Sequence, residues 1–138
     1  MNEQQETQYE GVSYEVLDND IHYIRLLQST RQAAVSTFSI LEHLYRQPSH
    51  RQVLSILMDS SHASVPLASS VHMAAELEKK YPTHVPVNIA LLQRNPLANV
   101  LQTMLRPLRM KNQTRLFDSE QHTQAIEWLV QQADGRNN

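Results

Sequence analysis

Residues 53–93 read VLSILMDSSHASVPLASSVHMAAELEKKYPTHVPVNIALLQ, and this stretch decides the fold. Val53 to Met58 is apolar except for Ser55, as a strand covered on both faces requires. It stops at the polar run Asp59-Ser60-Ser61-His62. A helix then starts near Ser64 to Pro66, with Leu67, Val71, Ala74, Ala75 and Tyr81 as its inward stripe and Lys79-Lys80 before Pro82 at its end. Val85 to Gln93 is again nearly all apolar. Two strands of this kind joined by a helix must lie parallel. Both are too apolar to face water, which predicts adjacent central positions for Val53–Met58 and Val87–Leu92.

The same alternation extends in both directions. Upstream, Val12, Tyr14 and Val16 alternate with Ser13 and Glu15, and Ile21 to Gln28 resumes as a strand after the turn cluster Asp18-Asn19-Asp20, so the two form an antiparallel hairpin. Ser29-Thr30-Arg31-Gln32 has the S-x-x-Q spacing of a capping box, and Ala34, Phe38, Leu41 and Tyr45 form the stripe of the helix that follows. Downstream, Asn95-Pro96 starts a helix whose apolar positions are Leu97, Val100, Leu101, Met104, Leu105 and Leu108, with Pro107 kinking or ending it. Thr114 to Phe117 is a short last strand. Asp118 or Ser119 caps a final helix with Ala125, Ile126, Leu129 and Trp128 inward. The expected fold is α/β, a five-stranded mixed sheet in the order ββαβαβαβα. Residues 12–132 form one domain, between a disordered lead-in at 1–11 and a disordered tail at 133–138.

Composition removes several classes of function. The chain has 138 residues and no cysteine, which excludes disulfides, thiolate metal sites and cysteine nucleophiles. A formal net charge of -2 supplies no field that draws nucleic acid. No apolar run approaches the length of a bilayer span. The opening MNEQQETQYE is acidic and glutamine-rich, unlike a secretory signal, so a soluble cytoplasmic protein is expected. The only glycines are Gly11 and Gly135, so no glycine-rich phosphate loop is present. The seven histidines form neither H-x-H nor H-E-x-x-H, and neither a metal nor another cofactor is expected. Arg106, Arg109, Lys111 and Arg115 cluster near one helix end, where they complement its dipole.

In an open α/β sheet, ligands and partners gather at the carboxyl ends of the strands. That edge collects Asp59, Ser60, Ser61, His62 and Ser64 from one connection and Arg94 and Asn95 from the next. With helix starts nearby, these residues are the candidate contact site for a partner or an anionic ligand. The plainer reading has Ser64 and Asn95 capping helices and Asp59 accepting loop N–H groups. Asp59, Ser61 and His62 also suggest a hydrolase, but a triad needs a base placed on the nucleophile and an oxyanion hole, and no G-x-S-x-G elbow is present. No catalytic residue is assigned.

The order of elements over Val12 to Val130, the strand ending ILMD at Ile56 to Asp59, and the closing RLFDSEQHTQAIEWL at Arg115 to Leu129 together resemble the SpoIIAA-like fold. That fold comprises the STAS domains of anti-anti-sigma factors and small bacterial STAS/SEC14-type proteins. The resemblance implies a non-enzymatic regulatory module that binds a protein partner, with homodimerisation left open. Its SEC14-type branch implies a second reading, a carrier or sensor of a small apolar or anionic ligand, with Leu97 to Leu108 bordering the cavity. Anti-anti-sigma factors carry an Asp-Ser-Ser-Gly motif with a phosphorylated serine. Here His62 stands in place of the glycine and the motif sits directly on the strand end, so no residue is equated with that serine. Any phosphorylation is expected on Ser60, Ser61 or Ser64, near a helix start.

Overall fold

The computed structural model of the chain describes residues 7–46, 53–63, 67–83, 85–94 and 113–137. The expected helix at 97–108, with Leu101 and Pro107, lies outside these residues, as do Ser64, Asn95, Arg106, Arg109 and Lys111. The elements are β1 (Thr7–Tyr9), β2 (Val12–Val16), a 3-10 turn (Asp18–Asp20), β3 (Ile21–Leu26), α1 (Arg31–Arg46), β4 (Leu54–Ser60), α2 (Leu67–Lys80), β5 (Val87–Gln93), β6 (Gln113–Asp118) and α3 (His122–Asn137).

All six strands join one sheet in sequence order. β1 pairs antiparallel with β2 and β2 with β3, whereas β3, β4, β5 and β6 are parallel. The five expected strands are therefore β2 to β6, with β4 and β5 adjacent at the centre, and the fold is the mixed α/β sheet read from the sequence. Ile56, Leu57, Ala90 and Leu92 have no exposed surface, as central strands covered on both sides should.

The side chains of the sheet divide into two faces. On the first, Val12, Ile24, Leu26, Leu54, Ile56 and Val87 meet Ala33, Ile40 and Leu41 of α1 and Leu77 of α2. On the second, Ile21, Leu57, Ala90, Leu92 and Phe117 meet Ala125 and Leu129 of α3. Strand alternation generates this division, since successive residues point to opposite sides.

Several expectations are corrected. The sequence places residues 1–11 in a disordered lead-in, because Met1 and Tyr9 are the only apolar side chains among the first ten residues, yet Thr7–Tyr9 form an edge strand. A ladder is made by backbone groups, so it needs no apolar residues. The reversal depends instead on Gly11, which sits at φ +76° with Ala33 packed against it, while Tyr9 lies edge-on to Tyr14. The tail at 133–138 is likewise not disordered throughout, because α3 runs to Asn137. Each added residue gains a backbone hydrogen bond without needing an apolar contact.

The cap of α1 is Thr30, whose Oγ1 accepts from Ala33 N–H at 3.1 Å. The S-x-x-Q spacing was thus one residue out of register. On α2, Leu77 is buried and Ala75 is exposed, so Leu77 takes the inward place that the stripe gave to Ala75. Last, β4 runs to Ser60, so Asp59 and Ser60 belong to the strand and the connection begins at Ser61.

Candidate functional site at the carboxyl end of β4

Asp59 follows Leu57 on the second face of the sheet and is only 8% exposed. A carboxylate this enclosed needs donors, and it has three. Tyr23 on β3 donates its hydroxyl to Oδ2 at 3.2 Å. The Ser61 N–H donates to Oδ1 at 2.9 Å, and the Ser61 hydroxyl donates to the same oxygen. Ser60 points the other way and donates to the Leu92 carbonyl on β5 at 2.9 Å. The chain therefore leaves β4 through a corner tied to both neighbouring strands.

The register places Arg25 beside Asp59 on the same face. Burial, together with the negative charge of Asp59 and the hydrogen bond to it, pushes the Tyr23 phenol up to about 12, with Arg25 opposing and Glu15 adding to the rise. The hydroxyl of Tyr23 thus stays protonated and donating throughout the physiological range. His122, the first residue of α3, sets its ring edge-on to Tyr23 with centroids 5.5 Å apart. One continuous polar cluster links β3, β4 and the start of α3.

Of the predicted site residues, Asp59, Ser60 and Ser61 come together as this corner. His62 is exposed just beyond it, and Arg94 is exposed one residue past the end of β5, whose Gln93 pairs with Ser60. Ser64 and Asn95 lie outside the described residues. Tyr23, Arg25 and His122 were missed by sequence reasoning. The signal for the first two was present, because Tyr23 and Arg25 share the polar phase of IHYIRL. Only the register with β4 shows that this phase adjoins Asp59.

The hydrogen bonds decide what the corner can do. The Ser61 hydroxyl donates to a carboxylate and not to an imidazole, so the Ser–His pair that the sequence suggests is not the bond made at this corner. Among the described residues, no group of three or more His, Cys, Asp or Glu side chains could hold a metal. Likewise no helix among them is long and apolar enough to cross a membrane.

A concavity of about 460 Å³ lies between α1 and α2. Val35, Phe38, Met73 and Leu77 provide its apolar lining. Glu42 also lines it and accepts from Lys80 Nζ at 2.5 Å and from the Tyr81 hydroxyl at 2.8 Å. In comparisons with known proteins, the chain matches no family model, no curated protein and no solved structure.

Proposed function

We propose that the chain is a regulatory protein-interaction module of the STAS type, non-enzymatic and cytoplasmic, that contacts its partner through the corner Asp59 to His62 with Arg94 beside it. The observation that carries this reading is the threefold bonding of Asp59 by Tyr23 and Ser61. A corner held this way is ordered before any partner arrives, so association costs less conformational entropy. The same bonds argue against Ser61 as a phosphate acceptor. A phosphoryl group would remove the donated proton and set its negative charge against the Asp59 carboxylate.

The test separates contact from folding. His62→Glu and Arg94→Glu change exposed side chains, and each should move stability by no more than about 0.5 kcal/mol. Both should reduce capture of the protein that wild type retains from its host, measured by quantitative pull-down. Ser61→Glu should reduce capture and also stability, by about 1–3 kcal/mol, through an added charge beside Asp59. Capture unchanged by all three variants would remove the corner as the interface.

The groove between α1 and α2 favours a second reading, a carrier of a small apolar ligand. Native mass spectrometry of freshly purified protein discriminates the two, because a carrier retains added mass that disappears on denaturation.

A further inference from the structure

The groove between α1 and α2 carries charges of both signs above an apolar trough. Val35 and Phe38 of α1 and Met73 and Leu77 of α2 line the trough. Leu77 is buried, whereas Val35 is 41% exposed although Ala34, Ser36 and Thr37 on either side of it are buried. At one end Glu42 is already satisfied by Lys80 and Tyr81. Glu76 and Lys79 also line the groove and are exposed, and neither makes a hydrogen bond or ion pair among the described residues. A trough that leaves Val35 in water suits an occupant with one apolar side and a solvated outer side of its own, as a helix has.

The outer side of α2 offers such a ridge. His72, Ala75, Glu76 and Lys79 recur at i, i+3, i+4 and i+7 and are all exposed, so they share one face of the helix. Ala75 has no bulk beyond its Cβ, which allows a second helix to approach closely. Glu76 and Lys79 stand about one turn apart with opposite charge. A parallel copy of this ridge would set like charges against each other, whereas an antiparallel copy opposes unlike charges at both positions. The charge pattern of the groove is therefore complementary to itself.

We propose that two copies of the chain associate about a two-fold axis, each laying its α2 ridge into the α1–α2 groove of the other. Glu76 meets the partner's Lys79 and Lys79 meets the partner's Glu76, the reciprocal pattern of an isologous contact. The aliphatic stem of each lysine lies along the trough while its ammonium reaches the carboxylate. Burial of Val35 and Met73 supplies affinity, and the two charge pairs fix the antiparallel register. None of these residues belongs to the β4 corner, so the dimer does not depend on what binds there.

Sedimentation equilibrium of the full chain, with native mass spectrometry, tests this. Wild type should dimerise as its concentration is raised. Glu76→Lys and Lys79→Glu should each weaken the dimer by about tenfold or more, because each change acts twice across the two-fold axis. The double variant re-forms both pairs with the charges exchanged, and its dissociation constant should return to within about threefold of wild type. Val35→Glu should weaken the dimer by a similar factor while the urea midpoint stays unchanged, since the side chain is exposed in the single copy. A chain that is monomeric up to about 1 mM, a dimer indifferent to these changes, or single changes that the double variant fails to reverse would each overturn the inference. A monomer that retains added mass in native spectra would overturn it as well, and would assign the groove to a small ligand instead.

Discussion

At Gly11 a single Cβ decides whether β1 can form. The residue has φ +76°, and an added Cβ would lie 2.8 Å from that of Ala33. Both the left-handed backbone and the contact penalise any side chain. Gly11→Ala should therefore lower stability by about 1–3 kcal/mol in urea unfolding. Gly135 provides the opposite case, since it lies in α3 with nothing within 4 Å of a built Cβ. Gly135→Ala should stabilise by about 0.5 kcal/mol, the ordinary preference of a helix for alanine. Equal effects of the two substitutions would show that Gly11 is not under steric constraint. At the corner, Asp59 shows how one residue serves two purposes, because the bonds that order the chain there also present Ser61 and His62 to solvent.

Among the elements, α1 depends on its first turn. Thr30 satisfies the Ala33 N–H, Thr37 returns its hydroxyl to the Ala33 carbonyl at 2.9 Å, and Ser36 donates to the Glu10 carbonyl at 2.8 Å. The last bond ties α1 to the β1–β2 reversal, so the helix start and the edge strand support each other. Thr30→Ala should cost about 0.5–2 kcal/mol and increase exchange at the Ala33 amide. Unchanged stability and exchange would show that the Thr30 hydroxyl does not cap the helix. α2 is joined to α1 at its far end through the Glu42, Lys80 and Tyr81 cluster, which is exposed on the lysine side and so adds little to stability.

Across the whole molecule, enclosed titratable groups set the pH range of the fold. Burial pushes the phenols of Tyr14 and Tyr23 up to about 12, with Tyr9 adding in the first case and Asp59 in the second. Burial, with the Glu78 charge, likewise raises Tyr45. In the unfolded chain these groups lose their protons near 10. Their contribution is complete below that value and is lost as pH rises toward 12, because the unfolded state then binds fewer protons. On the acid side, burial holds His22 below 6.5, opposed by Asp20. Its ring lies 2.8 Å from the Tyr14 hydroxyl, and stability should fall as pH drops below that unfolded value. Unfolding free energy should thus be greatest between these limits and decline from about pH 10 upward, less steeply in Tyr23→Phe. A free energy that is flat across the alkaline range would contradict the enclosure of these rings.

What the sequence by itself determined is the class of fold and the order of its strands. Runs such as Val53–Met58 and Val87–Leu92 have no polar phase to offer water, and the helical stripes between them must be buried against a sheet. The position of Asp59 at a strand's carboxyl end was legible for the same reason, since the apolar run stops there. Tertiary structure alone decided what surrounds that carboxylate. Tyr23, 36 residues away, and His122 from the other end of the chain meet there because parallel strands in register and a helix crossing the second face bring them together. It also decided that Thr7–Tyr9 pair, because a backbone ladder leaves no mark in side-chain pattern. Local periodicity reports which side of an element is apolar. Which distant side chains share that side depends on register and packing, which no single segment encodes.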